Sequence, residues 1–140
     1  LPIYGNVGNQ GAVERQRHEI RLDQQFLRTS LSLQLTRDEQ DFQSSGDSDR
    51  DSSAVFSARY RPSQRVSLNY EYQFSENERK SPASVSDDNE TDSHTIAVSY
   101  QINNAWQWRF SITDESRKYA NIAERDYDRT VTLFTISYRL

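Results

Sequence analysis

Cysteine and methionine are both absent from this 140-residue chain, and histidine occurs only twice. Without cysteine there is no disulfide scaffold, no thiolate metal site and no thiol nucleophile. Two imidazoles and no thioether leave little from which to build a transition-metal centre, so no metal or cofactor is expected. A long apolar run is missing as well. Nothing approaches the ~18 consecutive apolar residues of a transmembrane helix. An excess of positive charge is also missing. Lys and Arg total 17 against 21 Asp and Glu, for a formal net charge of −4 and a pI near 5.2. Duplex binding needs a cationic face against the phosphates, so no nucleic-acid partner is expected. Hydrophobic residues make up 34% of the chain, and mean hydropathy is −0.96. A chain of that composition is either disordered or spaces its few apolar residues in a regular pattern. Its length allows one domain at most.

The pattern is there, with a period of two. Leu27, Thr29, Leu31, Leu33 and Leu35 alternate with Arg28, Ser30, Ser32 and Gln34. Val66, Leu68, Tyr70, Tyr72 and Phe74 alternate with Ser67, Asn69, Glu71 and Gln73. The same rhythm marks Ala54–Tyr60, Ile96–Tyr100, Trp106–Ile112 and Phe134–Leu140, with a weaker copy at Ile20–Leu22. Successive strand side chains point to opposite faces, so each segment has one oily face and one wet face. Seven strands are expected, at about 14–22, 26–36, 53–61, 65–75, 94–102, 105–113 and 130–140. Residues 1–13 read as an irregular N-terminal segment and residues 14–140 as the strand-bearing domain. The stretch Leu1–Gly8 holds a Pro and two Gly and is a poor strand.

The connections alternate too. Asp23–Gln25, Pro62–Gln64 and Asn103-Asn104 read as tight turns, the Asn pair tolerating positive φ. About 37–52, 76–93 and 114–129 are rich in Ser, Asp, Glu and Asn and read as long solvated loops. Strands of 9 to 11 residues suit a tilted crossing of a bilayer.

A water-soluble β-sandwich also alternates. Three features favour an antiparallel up-and-down transmembrane β-barrel. Short turns on one side and long acidic loops on the other suit a membrane with two unlike sides. Long polar groups on the wet faces (Arg28, Arg59, Glu71, Gln73, Gln107, Arg109) suit a watery or ion-paired lumen. Glu19, Arg21, Gln101 and Arg139 are further candidates for that lining. Aromatics gather at the short-turn ends: Tyr60, Tyr100, Trp106, Trp108 and Tyr138 make a candidate girdle at a lipid–water boundary.

The sequence ends on an alternating stretch, with Phe134, Ile136, Tyr138 and Leu140 in one row. This resembles the C-terminal assembly signal of Gram-negative outer-membrane β-barrel proteins, which usually finish on Phe where Leu140 stands here. The resemblance covers about nine residues, and is architectural for the rest. It implies a bacterial outer-membrane location and insertion by the barrel-assembly machinery. It further implies contact with membrane lipid and lipopolysaccharide, short turns in the periplasm and long loops outside. Seven strands is an odd number, and single-chain bacterial barrels have an even one. The chain starts without an initiator Met or a signal peptide. It is therefore expected to be processed or truncated, with missing strands elsewhere in the parent or in a companion chain. A compact eight-stranded barrel is the alternative.

The expected function is a porin-like channel or export conduit component for polar or anionic solutes, polysaccharide among them. The competing reading is a non-conducting structural or adhesion barrel with acidic loops, its interior filled by Glu–Arg pairs. Asp47, Asp49 and Asp51 have the alternate spacing that can open a calcium loop, but the sharp-turn Gly is missing and Arg50 intrudes. That stretch, like Asp87–Glu90, reads as solvated loop with a soft role in bridging cations to lipopolysaccharide. A hydrolase would need His18 or His94, and no nucleophile motif accompanies either. No enzyme activity is expected.

Overall fold

The computed structural model describes residues 13–43, 45–81, 88–121 and 123–138. All seven expected strands are present: β1 Val13–Gln25, β2 Thr29–Phe42, β3 Asp47–Tyr60, β4 Val66–Lys80, β5 Asn89–Gln101, β6 Trp106–Tyr119 and β7 Tyr127–Tyr138. They form one antiparallel sheet in sequence order. A single turn of 3-10 helix at Ala123–Arg125 precedes β7. The sheet is open: β1 contacts β2 and β7 contacts β6, with no pairing between β1 and β7. Of the expected 1–13 segment, Val13 already belongs to β1; the rest lies outside the described residues, as do Arg139 and Leu140.

Hairpin register carries the alternation across the sheet. Leu22 faces Leu33, Leu33 faces Phe56, and Phe56 faces Tyr72. Val98 faces both Leu68 and Phe110, and Phe110 faces Phe134. Directly opposed residues share a face, so the oily rows of seven strands merge into one continuous surface. The other surface carries Ser, Thr, Asn, Gln and Arg, with Val55, Val131 and Leu133 as apolar exceptions. No second layer covers the oily surface among the described residues, unlike the core of a sandwich.

Two expectations about the connections need correction. The first turn is Phe26–Arg28 rather than Asp23–Gln25, closed by Phe26 N–H donating to Thr29 O at 2.7 Å. Leu27 and Arg28 therefore sit in a turn, not on β2. The Asn103-Asn104 turn uses no positive φ. Instead Asn103 Oδ1 accepts from the Ala105 and Trp106 amides, each at 2.9 Å, a side chain standing in for a backbone turn bond.

The larger correction concerns the expected long loops. Residues 37–42, 47–52, 76–80, 89–93, 114–119 and 127–129 are strand, so the connections at that end shrink to 43–46, 81–88 and 120–126. Between β2 and β3 the chain reverses in four residues. Gly46 supplies the φ of 70°, alone among the described residues in the left-handed region, and its amide donates to Phe42 O at 2.9 Å. Ladder pairing persists here because both faces are wet and opposed charges meet across the strands. Hydrophobic alternation is not needed for it.

Candidate functional site

The oily face runs from a row at the turns to a row halfway up each strand. On β4 it extends from Val66 to Phe74, about 27 Å of strand at ~3.4 Å per residue. All five girdle candidates lie on it at the turn end. Tyr100 opposes Trp108 and Trp106 opposes Tyr138, with the Trp106 and Tyr138 ring centroids 4.8 Å apart. These rings are open to the surroundings: Trp106 is 43% and Tyr138 55% exposed. Phe134 and Ile136 continue the row.

An aromatic cluster on β4 and β5, in the upper part of the oily face, was not foreseen. The His94 ring lies between Tyr70 and Tyr72, 4.8 Å from the latter. His94 Nδ1 and Tyr70 Oη are 3.0 Å apart, and Tyr72 Oη donates to Asp92 at 2.8 Å. Register makes this cluster, since Tyr72 opposes His94 and Phe74 opposes Asp92. No single strand reveals it. The amphipathic rings mark where the surface turns from apolar to charged.

The wet face is concave. Strand β5 carries Ala97 and Ser99, the two buried residues among those described, at 1% and 6% exposure. Small side chains are needed where a sheet curls inward. Two adjoining hollows open on this face. One, of about 730 Å³, draws lining from β1 through β6, including Arg21, Ser32, Arg59, Glu71, Thr95 and Arg109. The other, of about 750 Å³, lies at the turn end and includes Arg28, Arg61, Arg65, Ser99, Gln101 and Gln107.

The lumen candidates thus divide. Arg59, Glu71 and Arg109 come together at the first hollow. Arg28 and Gln107 line the second, Arg28 from its turn, where Nη1 donates to Pro62 O at 3.2 Å. Gln73 lies on the same face opposite Val55 and Ser93, further up. Glu19 accepts from Gln34 at 3.1 Å, and Arg21 is paired with Asp23 at 2.8 Å. Arg59 Nε donates to Asn69 Oδ1 at 2.8 Å. Among the described residues no ion pair joins Glu71 to Arg59 or Arg109, so the interior is not zipped shut by such pairs.

Above the oily face, charges pair from strand to strand. Arg50 reaches Glu39 at 2.9 Å and Glu78 at 3.3 Å, linking β2, β3 and β4. Arg15 grips Asp38, and Glu115 accepts from Tyr127 and from Arg129. The Arg117 guanidinium lies 5.8 Å from the Tyr127 ring centre. Hydrogen bonds hold these carboxyls below their usual range: from Arg15 to Asp38, from Arg37 to Glu39, and from Tyr127 and Arg129 to Glu115. The Asp47 carboxyl is lowered by Ser81 and Ser45 hydroxyls.

The Asp47–Asp51 stretch, expected as solvated loop, is strand, with Asp49 and Asp51 both accepting from Asn77 Nδ2. Among the described residues no group of three or more His, Asp or Glu is placed to hold a metal ion. His94 has Tyr and Asp neighbours rather than a serine nucleophile, and Ser93 points to the opposite face. His18 stands on exposed β1 opposite Arg37. Among the described residues no helix is long and apolar enough to cross a membrane. No family model, curated protein or solved structure matches this chain.

Proposed function

We propose that this chain is a wall segment of a bacterial outer-membrane β-barrel, serving a pore or export conduit for polar and anionic solutes, polysaccharide among them. The observation that carries the reading is the unbroken oily face of the sheet, exposed on its convex side and backed by a polar concave side. Water-soluble proteins rarely expose an apolar surface of that extent. At a strand tilt of about 45° its height is roughly 20 Å, near the ~25 Å apolar band of outer-membrane barrels. The aromatic row at the turn-end edge, with Trp106, Trp108 and Tyr138, supports the same placement, and the Tyr70–Tyr72–His94 cluster of β4 and β5 lies towards the opposite edge. In this reading the turns face the periplasm and the charged strand extensions face outward.

An open sheet cannot remain so in lipid, because its edge amides would go unpaired. Strand direction limits what can complete it. β1 and β7 both run towards the turn end. Direct joining of the two, or side-by-side copies of the chain, would create parallel pairs. Antiparallel closure requires an odd number of further strands, from the same polypeptide or from a companion chain. The barrel-assembly machinery, lipid and lipopolysaccharide are the partners this reading brings. It assigns no catalytic role.

Planar-bilayer recording tests it, using the protein purified from outer membranes with its closing strands. Discrete conductance steps are expected. A folded, inserted protein that leaves the bilayer sealed would instead support the non-conducting barrel with charged outer strands. Partition of the folded protein into the aqueous phase, away from membranes, would end both readings.

A further inference from the structure

Negative charge is nearly excluded from one end of the sheet, while positive charge is found at both. Of the 21 acidic residues, Asp23 and Glu71 alone lie in the half of the sheet nearest the turns (residues 20–36, 53–75, 94–113 and 130–138). That half carries Arg21, Arg28, Arg59, Arg61, Arg65 and Arg109. Arg21 is bound to Asp23. The remaining five have no carboxylate partner among the described residues, whereas six of the seven ion pairs lie in the upper half. Arg28 and Arg59 are held by neutral acceptors, Pro62 O and Asn69 Oδ1.

The five are not scattered. Arg28, Arg61 and Arg65 border the hollow at the turn end, and Arg59 and Arg109 border the one above it. Consecutive wet-face positions on single strands join the two hollows: Ser67 then Asn69, Ser99 then Ala97, Gln107 then Arg109. Each volume falls in the ~300–1,000 Å³ range of ligand sites. Un-neutralised guanidiniums in a concavity concentrate anions, because low-dielectric walls focus the field. Arginine also meets carboxylates in two-point geometry. The upper hollow also carries two carboxylates, Asp23, which is paired with Arg21, and Glu71, and most of the remaining polar lining is hydroxyl and amide. That suits a hydrated ligand rich in hydroxyls and poorly suits an acyl chain or an aromatic anion.

We infer that these joined hollows form a binding subsite for acidic carbohydrate, the five arginines without a carboxylate partner taking its carboxylates and the serine and glutamine rows its hydroxyls. The inference rests on the wet face lining an enclosed interior, and it does not require conduction. The charged upper half, net negative, would discourage the same anion from re-entering from that side.

Equilibrium titration tests this on the protein purified from outer membranes in detergent, with trigalacturonate as probe. Binding that weakens as salt rises is expected, with maltotriose and inorganic phosphate binding at least tenfold more weakly. The pair Arg59→Gln and Arg109→Gln should weaken trigalacturonate roughly tenfold or more, as loss of charge-assisted hydrogen bonds does. The pair Arg61→Gln and Arg65→Gln, in turns that tolerate change, should do the same without disturbing the strands. Arg15→Gln with Arg129→Gln, in the upper half, should leave affinity unchanged. Circular dichroism verifies that each variant is folded. Absent binding, equal affinity for maltotriose or phosphate, or equal loss from the upper-half pair would overturn the subsite. Because the titration reads binding and the bilayer recording reads current, a sealed barrel that still binds trigalacturonate removes the channel and leaves the subsite.

Discussion

The lower and upper halves of this sheet share one backbone ladder and differ in almost everything attached to it. Near the turns, one face is oily and the other wet, and order is visible in each strand alone. Further up, both faces are charged, and order is visible only between strands, in contacts such as Glu39–Arg50–Glu78. Period-two hydrophobicity therefore reports a difference between two environments rather than the presence of a strand. Where both sides of a strand meet water, the signal vanishes although the strand continues.

The sharpest way to break the comparison is to put charge on the oily face. Leu33→Arg or Val98→Arg should each cost about 2–4 kcal/mol in refolding titrations if the face meets hydrocarbon. Ser32→Arg and Gln73→Arg, on the wet face, should cost far less. Equal penalties on the two faces would remove the distinction. Ser99 fits a wet-face control on pattern alone, but its 6% exposure in the concave wall disqualifies it.

Overfilling that wall comes next. Ala97→Leu should cost about 1–3 kcal/mol by crowding a residue that is 1% exposed. Ala97→Ser, polar and nearly isosteric, should cost less. Indifference to both in urea or guanidinium titration would mean the wet side is not tightly curved.

The upper half should yield less to single changes. Arg50→Ala removes two partly exposed ion pairs and should cost no more than about 1 kcal/mol. Its mark should be local: faster amide exchange at 37–41, 48–52 and 76–80, with the lower half unaffected. Acid should produce the gentlest version of the same separation. Asp38, Glu39, Asp47 and Glu115 have carboxyl pKa values lowered in the fold. Their contribution is therefore complete above the ordinary carboxylate range, about pH 4, and fades as pH falls through the lowered values. Amide exchange below pH 4 should loosen the upper strands first. Simultaneous loosening of both halves would show that they are one cooperative unit.

Much of the fold was legible because each oily row reports its own strand. Seven strands, their order, the row of aromatics at the turn end and the turns around Pro62 and Asn103 follow from local rules. The upper strand ends did not follow, since Asp, Glu and Ser are poor strand formers in isolation and their pairing partners lie 11 to 28 residues away. The first turn was misplaced by three residues because Phe26 and Leu27 extend the apolar rhythm into it. At the candidate site, Arg59, Glu71 and Arg109 were found by face alone. Arg61 and Arg65 were passed over because they flank a proline turn, and pairing between strands, where the Gln101 amide donates to Arg65 O at 2.7 Å, brings them to the hollow lined by Gln101 and Gln107. The Tyr70–His94 contact likewise depends on a register between strands that no single segment contains.

The regular pairing above the oily face also bears on how the exposed part of this protein would meet hydrolytic enzymes. A protease must draw several residues of unpaired backbone into its cleft, and residues 37–42 and 47–52 are already engaged with their neighbours. Limited proteolysis of the folded protein should therefore spare these acidic stretches, although their composition alone would mark them as the easiest places to cut.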